Sequence, residues 1–179
     1  SLQKALFVYY INIMFSAIFA VDDNFGFGKS GSLPWYCEQD LKYFSQTTRN
    51  SVLIMGRKTW ESIPQQIILK NRDCIVITTS NTTPTMDGLF ISRTVSDALQ
   101  LGKVVANNRN VFVIGGVSVL REVIANECVD RISITTIHGT HPCDTFFNDV
   151  YEHISNYKLL DTTYMSDCTI RSYIKQPCS

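Results

Sequence analysis

The sequence has no excess of charge of either sign: 16 Lys and Arg stand against 16 Asp and Glu, for a formal net charge of +0. With no basic run either, nucleic acid and anionic membranes are not expected partners. There is no C-x-x-C, and Cys37, Cys74, Cys128, Cys143, Cys168 and Cys178 are too scattered for a disulfide framework. A chain of 179 residues can bury enough apolar surface without cross-links or metal, so they read as reduced thiols in a reducing, cytoplasmic compartment. Internal repeats, low-complexity tracts and inter-domain linkers are also lacking, which leaves a single domain. His138, His141 and Cys143 share one loop, but no second ligand pair completes a tetrahedral zinc set, and no metal is expected. No Ser/His/Asp or Cys/His grouping stands out.

One apolar run is long. Ala5 to Val21, behind Lys4, has the composition of a signal or membrane segment. Asn12 and Ser16 interrupt it, and it is rich in β-branched and aromatic residues, so the expectation is a buried strand after an apolar extension over 1–13, with the domain over 14–179. The strand leads into Gly26-Phe27-Gly28-Lys29-Ser30-Gly31, which fits the G-x-G-x-x-G dinucleotide fingerprint. The context does not fit: Pro34 holds Leu33 extended, and no periodic helix opens at Gly31. A P-loop is also excluded, because Asp23 stands where its first glycine would be. What remains is a long glycine-hinged loop ending in Leu33-Pro34-Trp35.

Beyond it the pattern alternates. A helix is expected over Tyr36 to Arg49, strands at Ser51 to Met55 and Cys74 to Thr79, and a brief helix from Gly56-Arg57 closed by Pro64. Asn81 to Gly88 is rich in turn residues, and Thr94 with Asp97 caps a helix from Val95 to about Ala106. Val111 to Ile114 reads as a strand, Val117 to Ala125 as a helix and Arg131 to Ile137 as a strand, followed by a loop from His138 to Asp149. Tyr157 to Tyr164 and Thr169 to Lys175 form a closing antiparallel hairpin. This order predicts an α/β fold: one three-layer αβα domain around a twisted sheet of about eight strands, mostly parallel, with an antiparallel C-terminal strand.

In such sheets ligands bind beyond the carboxyl ends of the strands. Ile114-Gly115-Gly116 lies there, either as a tight strand-helix turn or as a close approach to phosphate. Arg57-Lys58-Thr59 lies at another strand end, as a phosphate grip or a solvated cationic turn. Asp40 shares a helix face with Phe44 beside an apolar wall. A carboxylate there needs a partner, either a ligand with two donors or a group within the fold. Thr135 could bond either way, and Arg72 could clamp a carboxylate or simply be solvated.

In combination these motifs resemble dihydrofolate reductase from about Met14 onward. The resemblance is carried by Ala20-Val21-Asp22-Asp23-Asn24 with Gly26-Phe27-Gly28 and Leu33-Pro34-Trp35; Asp40-Leu41 with Phe44 and Thr48; Met55-Gly56-Arg57-Lys58-Thr59-Trp60-Glu61-Ser62-Ile63-Pro64; Leu69-Lys70-Asn71-Arg72; Val113-Ile114-Gly115-Gly116; and Asp144-Thr145-Phe146-Phe147. The family implies NADPH-dependent reduction of 7,8-dihydrofolate to tetrahydrofolate, for one-carbon metabolism, with inhibition by antifolates such as methotrexate. Asp40, Leu33, Trp35 and Thr135 would then serve catalysis. Ile18, Phe44, Ile63, Arg72 and Ile114 would bind substrate, Arg72 through the glutamate tail. Ala20, Gly28, Gly56, Arg57, Lys58, Thr59, Thr78, Thr79 and Ser80 would hold the cofactor, together with Ile114, Gly115, Gly116, Val117, Ser118 and Val119. The resemblance also implies a cis Gly115-Gly116 peptide, and a monomer unless fused to or associated with thymidylate synthase. Three positions depart from the family: Leu120 replaces a tyrosine, Asn71 a glycine, and Thr79 stands where some members have arginine.

Overall fold

The computed structural model describes residues 13–82 and 84–177; the apolar extension, apart from Ile13, lies outside them. The first described strand is β1 (Phe15–Asp22), the end of the apolar run. Alternate residues of β1 face opposite layers. Ala17, Phe19 and Val21 join one apolar cluster, whereas Ile18 joins the other. The same alternation splits β3 (Val52–Gly56), with Ile54 on the first face and Leu53 and Met55 on the second. A strand buried on both faces reads as a continuous apolar run, as these do.

Eight strands make one sheet. Besides β1 and β3 they are β4 (Asp73–Ile77), β5 (Leu89–Ser92), β6 (Val111–Gly115), β7 (Arg131–Ile137), β9 (Tyr157–Tyr164) and β10 (Cys168–Lys175). Their order across the sheet is β5-β4-β3-β6-β1-β7-β10-β9. Pairings from β5 to β7 are parallel, and β10 runs antiparallel to both its neighbours. Helices α4 (Val95–Ala106) and α5 (Val117–Ala125) cover one face. The other carries α1 (Glu38–Thr47), α2 (Arg57–Ser62) and α3 (Gln65–Ile68), which contribute Tyr43, Phe44, Trp60 and Ile68 to its core. The αβα layering is thus the expected one. A last short helix, α6 (Val150–His153), precedes β9.

Local chemistry sets several boundaries. The Thr94 hydroxyl accepts from the Asp97 N–H at 3.0 Å, so α4 begins at the expected cap. β4 stops at Ile77 rather than Thr79, because the Ser80 N–H donates to the Thr78 hydroxyl and bends the chain away from the sheet. β5 has no clear signal in the sequence: it is four residues long, and two of them, Phe90 and Ile91, are exposed. The glycine-hinged loop is also partly strand. β2 (Gly26–Gly28) pairs antiparallel with β8 (Thr145–Phe146), out of the loop expected between His138 and Asp149. Gly26 is required by contact, since a Cβ there would collide with the Cys143 thiol and the Asp22 carboxylate.

Candidate active site

A cleft of about 1820 Å³ opens across the carboxyl ends of β1, β3, β4 and β6. Asp40, in the first turn of α1, lines it together with Ile18, Phe44, Ile63, Ile114 and the half-exposed Leu33. Burial raises the Asp40 carboxyl above the ordinary range, and hydrogen bonding from the Thr135 side chain opposes the rise. Among the described residues no Lys, Arg or His forms an ion pair with it. Asp40 thus lines the cleft without a cation of the protein's own among the described residues. α1 has no side-chain cap at Cys37 and is held from its flanks instead. Tyr43 and Ser133 hydroxyls lie 2.7 Å apart, and Gln39 donates to Ser166 at 3.0 Å and accepts from the Asp167 N–H at 3.1 Å.

Arg72 lines the outer wall near Phe44 and Ile67. Its guanidinium donates to the Thr48 carbonyl and hydroxyl at 3.1 Å, to the Ser45 carbonyl at 3.0 Å and to the Lys70 carbonyl at 3.2 Å. Neutral acceptors thus fix its geometry and, among the described residues, no carboxylate compensates its charge, as a carboxylate ligand would require. Asn71 precedes it at φ 63°, a conformation that Asn tolerates better than most residues in place of glycine.

The other arm of the cleft is a set of donors. Gly56 and Gly116 stand at the N-caps of α2 and α5, and neither helix has a side-chain cap, so the first backbone N–H groups are open to an anion. Gly115-Gly116 is a cis peptide, and Gly115 has φ +153° and faces Thr59. Arg57, Lys58, Thr59, Thr78, Thr79, Ser80, Val117, Ser118 and Val119 line the cleft here, as do Ala20 and Gly28 elsewhere along it. Arg57 also lies 3.6 Å from Glu61, an exposed pair that leaves it free to turn. Two cations, five hydroxyls and two uncapped helix starts fit a phosphate-bearing cofactor.

Three expected residues do not line the cleft. Thr135 is buried on β7 beside Ala20 and acts on Asp40, not on the open space. Gly115 lies behind Gly116, under Thr59. Trp35 packs with Ala20, Cys37, Ile137 and Cys168, its ring 5.4 Å from that of His141, and its indole N–H has no hydrogen-bond partner among the described residues. Leu120, the departure in α5, is wholly buried and outside the cleft, so no hydroxyl enters from that position. Sequence reasoning missed Arg93, whose guanidinium donates at 2.8 Å to the Thr78 and Ser80 carbonyls and to Asn81. Arg93 directly follows β5, and an unrecognised four-residue strand hid it.

The glycine ribbon lines the cleft and is pinned at both ends. The Asp144 carboxylate accepts from the Ser30 N–H at 2.9 Å. At the root, the buried Asp22 accepts from the N–H groups of Asn24 (2.9 Å), Gly26 (2.8 Å) and His141 (2.7 Å). Burial alone would raise the Asp22 carboxyl, yet these donors and the His141 side chain bring it below its ordinary value. His138 and His141 point apart: His138 meets the Ser166 carbonyl and Thr169 hydroxyl, while the His141 ring lies 3.4 Å from Asp22.

Known proteins resemble this chain in sequence and fold. The family model described as dihydrofolate reductase matches residues 14–174. The dihydrofolate reductase of Rattus norvegicus is 35% identical over 157 residues, covering 81% of this chain and 83% of that protein. That of Pneumocystis carinii is 34% identical over 148 residues, or 73% and 71% of the two chains. A bifunctional dihydrofolate reductase-thymidylate synthase of Daucus carota is 35% identical over 145 residues, 74% of this chain but 28% of its own length. The solved dihydrofolate reductase of Enterococcus faecalis, complexed with NADP(H), superposes with a TM-score of 0.78 at 28% identity over 92% of this chain and 97% of that one. With the family model spanning nearly the whole described domain, the chain belongs to the dihydrofolate reductase family.

Proposed function

We propose that this chain reduces 7,8-dihydrofolate to 5,6,7,8-tetrahydrofolate with NADPH. The observation that carries the reading is Asp40: a carboxylate raised by burial and, among the described residues, without a protein cation, lining a cleft that also meets two uncapped helix starts. NADPH, when bound, supplies the hydride for pterin C6. The pterin's 2-amino and N3 groups would meet the Asp40 carboxylate, which removal of water strengthens as a partner and which assists protonation at N5. Thr135 would orient that carboxylate, and Ile18, Phe44, Ile63, Ile114 and Leu33 would exclude water around it. Arg72 would hold the glutamate-tail carboxylate.

Arg57, Lys58, Thr59 and the N–H groups after Gly56 and Gly116 would take the cofactor phosphates. Thr78, Thr79 and Ser80 would surround the adenosine 2′-phosphate. There Arg93, braced on two carbonyls, supplies the charge that Thr79 lacks, and this supports NADPH over NADH. The glycine ribbon would act as a lid over the nicotinamide. Trp35, outside the open space, would serve through its packing beside Ala20. The chain would work in the cytoplasm as a monomer, unless joined to thymidylate synthase. Loss of NADPH absorbance on adding dihydrofolate, abolished by methotrexate, tests the reading. No turnover in the folded chain overturns it.

A further inference from the structure

Among the described residues, two buried side-chain nitrogens have no hydrogen-bond partner, Trp35 Nε1 and His141 Nδ1, and they belong to rings that pack on each other. The rings meet edge to face, with centroids 5.4 Å apart and planes at 74°−9°, that is 65°. His141 also reaches the other end of the glycine ribbon. Its backbone N–H donates to Asp22 Oδ2 at 2.7 Å, and its ring Nδ1 lies 3.4 Å from the same oxygen. The ribbon leaves β1 at Asp22 and ends at Trp35, and between them Gly28, Ser30, Gly31, Ser32 and Leu33 line the cleft. One imidazole thus stands at both its entry and its exit. The proposed reaction gives this residue no part.

We propose that His141 is a positioning residue: its imidazolium, paired through Nδ1–H with the Asp22 carboxylate and packed on Trp35, holds the two ends of the ribbon together over the bound cofactor, and loss of its proton loosens them. The effect on the cofactor rests on the proposed reductase function. A lone pair on Nδ1 would face a carboxylate oxygen, so a proton belongs there. The side chain is 24% exposed although Nδ1 is buried, so the rest of the ring meets solvent and a second proton can come and go. Its arrival converts a neutral contact into a charge-assisted one, which is shorter and stronger. Histidine is the side-chain type whose charge ordinarily changes between about pH 5 and 8. Asp22 keeps its charge throughout: burial opposes ionisation, yet backbone N–H donors hold its carboxyl below the ordinary value. The other titratable groups around this root cannot stand in for the imidazolium. Asp23 accepts from the Gly139 N–H at 2.7 Å, and the Cys143 thiol, against Gly26 and Asp22, is raised by burial and stays neutral. Lys29 acts on Cys143 and Asp144 rather than on Asp22, and His138 turns to Ser166 and Thr169. Beside Trp35 are only the thiols of Cys37 and Cys168. Among the described residues no Lys or Arg pairs with Asp22.

NADPH release from the full chain is the first measurement. Between about pH 5.5 and 8.5, the release rate of His141→Phe should go from about tenfold above the parent's at the acid end to within about twofold of it at the alkaline end. Taking the ratio cancels the ionisation of the cofactor's own 2′-phosphate. Phe keeps an aromatic ring against Trp35 and removes only the proton-binding group, so a ratio that does not change with pH overturns the proposal. Where that variant folds poorly, nitrogen NMR of the imidazoles in the parent decides instead, with His141 assigned through His138→Gln and His153→Gln. Its ring should carry a proton on Nδ1 at both ends of the range and gain the second in step with a change in Trp35 emission, isolated by Trp60→Phe. An Nδ1 without a proton, or a ring that titrates out of step with Trp35, overturns it equally. A chain that binds no NADPH would count against the reductase reading, and the ring and emission titrations would still decide whether His141 clamps the ribbon.

Discussion

Asp22 and Asp40 sit at opposite ends of the same structural problem. Asp22 is only 2% exposed yet titrates below its ordinary range, while Asp40, half-buried, titrates above it. Burial pushes both upward and donors oppose it in both, prevailing at Asp22 and not at Asp40. Asp22 collects three backbone N–H groups and the His141 side chain; Asp40 has only the Thr135 side chain. A carboxylate whose acceptors are filled by the fold is a structural pin. One left short of donors and lining a cleft is available to a ligand.

The largest effect is expected at Asp40. Asp40→Asn should lower turnover at neutral pH by about 10²- to 10⁴-fold with NADPH affinity kept, read by steady-state kinetics and cofactor titration. Its stability should move the other way. A raised folded pKa means that the ionised carboxylate is disfavoured in the fold: its contribution is fully present below 3.8 and lost as pH rises through the folded value. Asp40→Asn should therefore melt above the parent at pH 7, and the gap should close in acid. A lower melting temperature at pH 7 would break the comparison.

Asp22 should behave in reverse. Asp22→Ala strands three N–H donors and should cost about 3 kcal/mol or more in denaturant unfolding. With a lowered folded pKa, the contribution of Asp22 is fully present above 3.8 and lost as pH falls through the folded value, so the Asp22→Asn deficit should shrink in acid. Arg72→Leu should raise KM about 10- to 100-fold for a glutamylated substrate and far less for a pterin without the tail, the range expected for charge-assisted bonds of about 1.5–3 kcal/mol. The smallest effect belongs to Thr135→Val. Removing the one group that opposes the Asp40 rise should move the acid limb of the pH–rate profile upward and change turnover less than tenfold at its optimum.

Asp40 could be singled out by its helix spacing to Phe44, because a helical period fixes which side chains share a face. Asp22 could not: its three donors come from its own turn and from a loop some 119 residues away, and no local pattern announces such a convergence. The same holds for Arg93. Its strand is too short and too exposed at the sheet edge for a periodic signal, so its role follows from β5 lying against β4. The glycine stretch shows the intermediate case. Its turns are written in its composition, but its pairing with Thr145–Phe146 is a long-range register that glycine content cannot specify.

By itself the sequence determined the alternation of apolar strands and helices, the caps and glycines that end them, and the motifs of the cleft, because these depend on residues within a few positions of one another. The tertiary structure alone decided which acceptors are satisfied. It filled Asp22 and left Asp40 lining the cleft, set Arg93 behind Thr78 and Ser80, and seated His141 between Asp22 and Trp35. Hydrogen bonds act over about 3 Å, and only the folded chain brings distant residues that close.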